Sequence, residues 1–183
     1  MNLAQLAEKY GTDKLQHGYI FYYEKYLPKN PKRLLEIGCL KGASLRMWRD
    51  YFPDCELHTI DLFEENSEPD IEGLICHKGN QSDLKVLNGL PSFDIVIDDG
   101  SHNAVDIQTS FDFIFKYCMA ENGVYVIEDL HCLTIESYRY MTTNGGYHIY
   151  MPFEDTILAK MQDVRFKHRF ELFDNKIAFI YAE

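Results

Sequence analysis

The sequence predicts an α/β protein with a doubly wound, mainly parallel sheet, an N-terminal helical cap and a C-terminal antiparallel hairpin. Segments 93–97 and 123–127 are short, apolar and rich in β-branched residues, which is typical of strands buried on both faces of a parallel sheet. Helical spacing of apolar residues alternates with such strands along most of the chain. The last segments, 164–173 and 176–182, have strand alternation and meet at Asp174-Asn175, which predicts a hairpin.

The helical cap is predicted over residues 1–30. Apolar residues of segment 3–10 share one helical face, and the aromatic residues of segment 19–27 resume helical spacing before Pro28 interrupts it. Segment 11–14 predicts a turn between the two helices. The cap is therefore expected to pack as two short helices ahead of the first strand.

The remaining elements follow in chain order, with strands and helices alternating. Segment 132–152 has no clear period and is expected to form a lid loop over the site. The predicted segments are a strand over 32–39, a helix over 42–51, strands over 55–62 and 74–78, the strand 93–97, a helix over 105–115, the strand 123–127 and a helix over 153–161.

Length and composition favour one folded domain covering residues 1–183. With 183 residues, 46% of them hydrophobic, the chain is long enough to bury a core. The formal net charge of −11 argues against nucleic acid or an anionic membrane surface as partner. The expected partner is a small-molecule or glycan substrate. A homo-oligomer is also possible on this sequence. No apolar run approaches the roughly 20 residues of a membrane span, and the polar N-terminus predicts no signal peptide.

The five cysteines indicate a reducing compartment. Their number is odd and none has C-x-x-C spacing, so we interpret them as reduced and mostly buried thiols. Cys132, beside the acidic residues that follow segment 123–127, is the candidate for an exposed thiol. The expected location is the cytoplasm.

Acidic residues follow both central strands, at the point where each strand ends. Asp98-Asp99-Gly100-Ser101-His102 follows the first, and Glu128-Asp129-Leu130-His131 follows the second. Because neighbouring parallel strands end at the same edge of a sheet, these groups are expected to converge where open α/β sheets bind ligands. An isolated Asp98-Asp99 pair more often caps the following helix, but the second acidic pair favours a site.

The first predicted strand leads into a glycine turn, Glu36-Ile37-Gly38-Cys39-Leu40-Lys41-Gly42. Glycine lets the backbone approach a ligand, and a helix N-terminus follows. The turn lacks the dinucleotide pattern G-x-G-x-x-G, and Glu36 would repel a pyrophosphate but suits an ammonium, so S-adenosylmethionine fits better than NAD. Asp61 ends the second strand at the spacing of a carboxylate that binds ribose hydroxyls. Segment 79–83 offers amide and hydroxyl groups to an adenine edge.

Each of these features also has a plainer explanation. A single glycine turn after a strand is common, and Asp61 alone is more often a helix cap or a solvated strand end. The aromatic side chains of the second helix are mainly packing groups, although Tyr19 and Tyr23 are candidates to line a cofactor pocket. The glycine turn, Asp61 and segment 79–83 nevertheless follow one another in the expected order, and together they favour nucleotide binding.

With these motifs the chain resembles the class I S-adenosylmethionine-dependent methyltransferases, whose fold is Rossmann-like. More narrowly, it is similar to the magnesium-dependent sugar O-methyltransferases that modify macrolide antibiotics, of the mycinamicin and tylosin type, and to their smaller bacterial polysaccharide relatives. The matching motifs span residue 11 to about residue 131 and are Gly11-Thr12-Asp13-Lys14 with His17 and Tyr19, Glu36-Ile37-Gly38, Asp61, Gln81-Ser82-Asp83, Asp98-Asp99-Gly100-Ser101-His102 and Val126-Ile127-Glu128-Asp129-Leu130.

The resemblance implies a role for each motif. It implies that Asp99, Glu128 and Asp129 hold the metal and that His102 is the general base. The residues it implies at or near the cofactor are Thr12, Lys14, Glu36, Gly38, Asp61, Asn80, Gln81, Ser82 and Asp98.

The chain also departs from the group. It is much shorter than the macrolide enzymes, Asn80 stands where an aspartate is common, and His131-Cys132 replaces a more usual aromatic or threonine. These differences leave the implied reaction class intact and bear on the acceptor.

The chemistry of these residue types agrees with the implied roles. Magnesium prefers about six oxygen ligands, so three carboxylates and two neighbouring sugar hydroxyls would nearly complete its shell and ease loss of the hydroxyl proton. An imidazole can accept that proton near neutral pH. The predicted function is methyl transfer to a hydroxyl of a sugar or sugar-linked metabolite. The alternatives are a small phosphorylated or catechol-like acceptor and a catalytically silent S-adenosylmethionine-binding module.

Overall fold

Seven strands form one sheet in the computed structural model, which describes residues 1–63, 68–130, 169–174 and 176–182. The strands are β1 (Arg33–Ile37), β2 (Glu56–Asp61), β3 (Leu74–Lys78), β4 (Phe93–Asp98), β5 (Met119–Ile127), β6 (Phe170–Phe173) and β7 (Ile177–Tyr181). Their spatial order is β3-β2-β1-β4-β5-β7-β6, with β1 to β5 parallel and β7 antiparallel to both β5 and β6. The predicted mainly parallel sheet with its C-terminal hairpin is confirmed.

The helices follow the predicted alternation. The side chain of Asn2 accepts a hydrogen bond from the Gln5 amide at the start of the first helix, and Gly11 ends that helix with φ of 67°. The described helices are α1 (Leu3–Tyr10), α2 (Tyr19–Tyr26), α3 (Ala43–Tyr51), α4 (Leu84–Leu87) and α5 (Ala104–Tyr117), with a 3-10 turn at Asp13–Leu15. The predicted N-terminal helical cap is thus present as α1, the turn and α2.

Side chains of successive strand residues enter two separate core layers. Leu34 of β1 belongs to a cluster that contains Tyr23 of α2 and Trp48 of α3. Leu35 belongs to the other cluster, together with Phe111 of α5. Burial of both faces explains why the central strands are apolar throughout instead of alternating with polar residues.

Some elements differ from the prediction in extent. The prediction omits α4, a single turn that begins where the Asp83 side chain accepts a hydrogen bond from the Lys85 amide. Strand β5 begins at Met119, because Met119 already pairs with Phe93 before an irregularity in the register. The intervening Ala120-Glu121-Asn122-Gly123 interrupts the apolar run of the strand and conceals this early pairing in the sequence.

Several predictions lie outside the described residues. These are the lid loop over 132–152, the helix over 153–161, and the exposed thiol of Cys132. The strand predicted over 164–173 is described only from Arg169 onward. Among the described helices, none combines the length and the apolar character needed to cross a membrane.

The register of the central strands places both acidic segments at one edge of the sheet. Asp98 pairs with Ile37 of β1 and with Ile127 of β5. The Asp99 amide then donates to the Ile37 carbonyl at 3.0 Å, and the Glu128 amide donates to the Asp98 carbonyl at 3.0 Å. The backbone ladder therefore continues one residue beyond the strands and fixes where each acidic segment begins.

Candidate active site

A cavity of about 930 Å³ opens at the carboxyl edge of the sheet. It is bounded by the segments that follow the five parallel strands and by the N-terminal cap. The main lining segments are 10–13, 38–41, 60–63, 79–81 and 99–102, together with Asp129. The glycine turn and the acidic segments, which lie far apart in the sequence, thus face the same space.

Three side chains at the edge of this cavity form a candidate metal site. Ligand atoms of Asp99, His102 and Asp129 all lie within 4.8 Å of one another. His102 Nε2 lies 3.8 Å from Asp99 Oδ1 and 3.7 Å from Asp129 Oδ2. These distances are longer than hydrogen bonds and leave room for an atom between the three groups.

Two members of this cluster have an unusual backbone conformation. His102 and Asp129 both have φ of 53°, in the left-handed region that residues with a side chain seldom adopt. Such strain persists only where the surrounding structure holds it, and it concentrates at functional sites. The strain therefore supports a functional interpretation of the cluster.

The ammonium group of Lys14 lies beneath the cluster among three carboxylates. Lys14 Nζ lies 2.7 Å from Asp99 Oδ2, 2.7 Å from Glu128 Oε1 and 3.3 Å from Glu36 Oε1. Its side chain is 1% exposed. Burial alone lowers the pKa of Lys14, but the carboxylates outweigh burial and hold the pKa well above its usual value. Lys14 is consequently a fixed cation at the base of the site.

Glu128 is buried and does not belong to the three-residue cluster. Its Oε1 accepts hydrogen bonds from Lys14 and from the Tyr23 hydroxyl. Burial raises the pKa of Glu128, although Lys14 opposes the change. The structure therefore places this predicted metal ligand beside the cluster, with its carboxylate bound to protein groups.

The glycine turn packs directly against the acidic segment. A Cβ atom on Gly38 would lie 2.2 Å from the Asp99 carbonyl oxygen, and φ of Gly38 is 84°. Asp61 closes the turn from the other side, because its Oδ2 accepts hydrogen bonds from the amides of Cys39 and Leu40. Burial raises the pKa of Asp61, but the amide hydrogen bonds outweigh it and hold the pKa below its usual value. Asp61 is thus an anion at the cavity wall.

Comparison with solved structures identifies the fold. No protein-family model matches the chain. A structure of MycE, a methyltransferase from the mycinamycin biosynthetic pathway in complex with Mg, SAH and mycinamycin VI, matches with a TM-score of 0.79 and 25% sequence identity. The match covers 98% of this chain and 53% of that chain. The chain has the S-adenosylmethionine-dependent methyltransferase fold.

The sequence relatives of this methyltransferase-fold chain are sugar O-methyltransferases. The 8-demethyl-8-(2-methoxy-alpha-L-rhamnosyl)-tetracenomycin-C 3'-O-methyltransferase of Streptomyces olivaceus is 36% identical over an alignment of 145 residues, and the match covers 70% of this chain and 37% of that protein. Mycinamicin VI 2''-O-methyltransferase of Micromonospora griseorubida is 32% identical over 145 residues, covering 70% of this chain and 36% of that protein. The resemblance inferred from the motifs is confirmed. The chain spans little more than a third of the length of these relatives.

The methyltransferase fold brings some of the implied cofactor residues to the cavity and buries others. Lining residues include Thr12, Gly38, Asp61, Asn80 and Gln81. The other implied residues, Lys14, Glu36, Ser82 and Asp98, do not line it. A cofactor contact from any of these residues stays a prediction.

The buried carboxylate of Asp98 has a structural role in this fold. It accepts hydrogen bonds from Gln81, Ser110 and Tyr125 at distances from 2.9 to 3.3 Å. Burial raises the pKa of Asp98 to about 6, despite these hydrogen bonds. Gln81 also accepts a hydrogen bond from the Ser101 amide at 2.8 Å, so this network holds the start of the acidic loop.

Glu36 and Ser82 also bind protein groups. Glu36 Oε2 accepts a hydrogen bond from the Ser44 hydroxyl at 2.8 Å, while Glu36 Oε1 lies 3.3 Å from Lys14 Nζ. The Ser82 hydroxyl lies 2.8 Å from Asn80 Oδ1 and 2.7 Å from Asp106 Oδ1, and it donates its one hydrogen to one of these two acceptors. Glu36 therefore lies one side chain behind the cavity wall, since Ser44 itself lines the cavity.

Sequence reasoning missed several residues that hold the site. Ser110 lies on the apolar stripe of α5 and Tyr125 lies in an apolar strand, and both bind Asp98. A polar atom on an otherwise apolar face needs a buried partner, which is the signal that could have identified them. Tyr19 and Tyr23 were candidates for the pocket, and the structure directs their hydroxyls to Asp129 and Glu128 instead.

Proposed function

We propose that this chain contains the catalytic domain of an S-adenosylmethionine- and magnesium-dependent O-methyltransferase that acts on a hydroxyl of a sugar or sugar-linked metabolite. The convergence of Asp99, His102 and Asp129 at the edge of the cavity supports this proposal most directly. The names of the sequence relatives, all sugar O-methyltransferases, support the choice of acceptor. The Mg and SAH in the MycE structure support the choice of cofactors.

The residues of the cavity suit S-adenosylmethionine, which would supply an electrophilic methyl group. The Asp61 anion and the glycine turn could receive ribose hydroxyls, as the spacing of these motifs predicts. The buried Glu36 carboxylate, which binds Lys14 and Ser44, adds negative charge behind the cavity wall, and this charge favours the ammonium of an amino-acid group in the cavity.

The cluster residues suit magnesium, which would ease the loss of the proton from the acceptor hydroxyl. Asp99 and Asp129 would each contribute one carboxylate oxygen. Glu128 is the third predicted ligand, and its Oε1 already binds Lys14 and Tyr23. Asp99 and Asp129, which share the cluster with His102, are therefore the better supported ligands.

His102 would act as the general base. Its Nε2 lies close to both cluster carboxylates, so an acceptor hydroxyl held there would lie within reach of the imidazole. After losing its proton to Nε2, the acceptor oxygen would bond to the methyl group as the methyl–sulfur bond of the donor breaks, with S-adenosylhomocysteine as the leaving group. Holding the methyl group of the donor and the oxygen of the acceptor close together is the main contribution to the rate expected from the protein.

The net charge of the chain supports the proposed acceptor class, and its free cysteines support the proposed location. The net charge of −11 favours a small-molecule or glycan acceptor over nucleic acid or an anionic membrane surface. The cysteines of the described residues, Cys39, Cys55, Cys76 and Cys118, are free thiols, which supports a cytoplasmic location. A homo-oligomer stays a prediction.

Methyl transfer by the purified chain tests the proposal. The chain would be incubated with S-adenosylmethionine and Mg²⁺ and with glycosides, sugar nucleotides, phosphorylated metabolites and catechols, and methylated products detected by mass spectrometry. We expect methylation of glycosides, and loss of that activity when a chelator removes the metal. Methylation of catechols alone, or full activity in chelator, would contradict the proposal.

The variant His102→Ala tests the proposed base. We expect turnover to fall by at least about a hundredfold, the usual contribution of general base catalysis. Affinity for S-adenosylhomocysteine, measured by calorimetry, should stay close to that of the unchanged protein. Equal losses of affinity and turnover would instead indicate that His102 supports the cavity.

A further inference from the structure

The N-terminal cap reaches the acidic edge through the hydroxyl of Tyr19, the first residue of α2. Tyr19 is 1% exposed. Its hydroxyl donates to Oδ1 of Asp129 at 2.6 Å and accepts from the backbone nitrogen of Asp129 at 3.4 Å. One buried hydroxyl thus contacts both the side chain and the backbone of the same residue.

Asp129 has a backbone conformation that requires support. Its φ of 53° lies in the left-handed region, and it directly follows Glu128, whose carboxylate is held by Lys14 and Tyr23. The two oxygens of Asp129 have different surroundings. Oδ1 binds Tyr19, with His17 Nδ1 at 3.7 Å, while Oδ2 lies 3.7 Å from His102 Nε2.

Asp99 shows the same division between its two oxygens. Its Oδ2 lies 2.7 Å from Lys14 Nζ, and its Oδ1 lies 3.8 Å from His102 Nε2. In each cluster carboxylate, one oxygen is therefore bound by a buried residue of the N-terminal segment and the other faces the cluster. Hydrogen bonds of this kind orient metal ligands in many proteins.

We infer that Tyr19 is a positioning residue for the divalent-cation site: its two contacts with Asp129 keep Oδ2 of Asp129 directed toward Asp99 and His102. This inference rests on the proposed function, because it concerns the same metal site. Through Tyr19, the helical cap becomes part of the metal site. Loss of the Tyr19 hydroxyl should weaken cation binding while leaving the cofactor cavity intact.

The variant Tyr19→Phe tests the inference, because it removes the hydroxyl and keeps the buried ring. Mn²⁺ serves as the probe, since it also prefers oxygen ligands, and electron paramagnetic resonance measures the free ion in the absence of cofactor and acceptor. We expect the dissociation constant for Mn²⁺ to rise by about tenfold or more, as is usual when an outer partner of a metal ligand is removed. Affinity for S-adenosylhomocysteine should not change, since Tyr19 does not line the cavity.

Tyr22→Phe is the matched control. Tyr22 lies on the same helix, and its hydroxyl donates to Oδ2 of Asp174 at 3.0 Å, on the turn between β6 and β7. This variant loses the same kind of hydrogen bond to an aspartate away from the site. We expect its Mn²⁺ affinity to equal that of the unchanged protein.

These measurements distinguish failure of the Tyr19 inference from failure of the proposed metal site. If Tyr19→Phe binds Mn²⁺ as tightly as Tyr22→Phe does, the inference is wrong and the proposed metal site stands. A parallel loss of S-adenosylhomocysteine affinity in Tyr19→Phe would also overturn the inference, because it would show a general disturbance. If the unchanged protein binds no Mn²⁺, or if Asp129→Asn binds it equally well, the proposed metal role of Asp129 is wrong and the inference fails with it.

Discussion

At the scale of single residues, the charge balance of the site depends on Lys14. Glu36 and Glu128 are buried carboxylates, and Lys14 is the cation in contact with both. A buried charge costs several kcal/mol unless an opposite charge and hydrogen bonds compensate for it. The sequence places Lys14 in a turn near the N-terminus, where nothing in the local pattern indicates burial.

We expect Lys14→Met to lower the free energy of unfolding by about 3–5 kcal/mol, because it leaves buried carboxylates without a partner. Denaturant unfolding measures this loss. Adding Glu128→Gln to Lys14→Met should recover part of it, since one of the unpaired charges is then removed. The control is Lys9→Met, which breaks an exposed ion pair of the same length, 2.7 Å, with Asp50. Equal losses in Lys14→Met and Lys9→Met would contradict the expected role of burial.

Gly38 is the second residue whose importance comes from a distant contact. Gly38→Ala would place a methyl group against the Asp99 carbonyl oxygen and also strain a left-handed backbone. Gly18 has a similar φ of 79° but has no atom within 4 Å of an added Cβ. We expect Gly18→Ala to cost about 1–2 kcal/mol from backbone strain alone, and Gly38→Ala about 1–3 kcal/mol more from the clash. Chemical denaturation of both variants checks this; equal costs would mean that the turn relaxes away from Asp99.

At the scale of elements, β2 and β3 are joined by a contact that has no sequence signal. The rings of His58 and His77 are stacked, and His58 Nδ1 lies 2.9 Å from His77 Nε2. Burial, and next the neighbouring His58, lower the pKa of His77. A hydrogen bond between two imidazoles needs one nitrogen without a proton, so protonation of both rings would break it.

The pH dependence of stability should reveal this contact. Because the folded pKa of His77 lies below the unfolded value of about 6.5, the unfolded chain takes up the proton first as the pH falls. The contribution of His77 to the free energy of unfolding is therefore fully present above the unfolded pKa and is lost as the pH falls below that value. We expect the unchanged protein to lose more stability than His77→Gln between about pH 7.5 and about pH 5.5 in denaturant titrations. Parallel pH profiles for the two proteins would contradict this assignment.

The long elements were predictable from the sequence, while their ends and the short elements were less so. The apolar runs of β1, β4 and the later half of β5 are clear because both faces of the sheet are buried. The helix α4 has only four residues, too few to show a helical period. The first four residues of β5, Met119-Ala120-Glu121-Asn122, do not alternate between apolar and polar, and the register with β4 shifts after Met119 pairs with Phe93, so the sequence pattern does not reveal them.

At the scale of the whole molecule, the site is assembled from segments that are distant in the chain. The crossover connections between parallel strands bring the ends of β1, β2, β4 and β5 to one edge. The N-terminal cap then packs against this edge, where Lys14 and Tyr19 bind the acidic residues. Residues separated by more than a hundred positions, such as Tyr19 and Asp129, therefore depend on each other.

The sequence by itself determined the fold class, the strand ends that carry the acidic groups, and the glycine turn, because hydrophobic periodicity and turn residues are local properties. Only the tertiary structure decided which carboxylates face the cavity. Asp99 and Asp129 share the cluster with His102, whereas Glu128, adjacent to Asp129 in the sequence, is directed to Lys14 and Tyr23. The direction of each side chain follows from the left-handed backbone at Asp129 and from the charges packed beneath the edge, neither of which local spacing encodes.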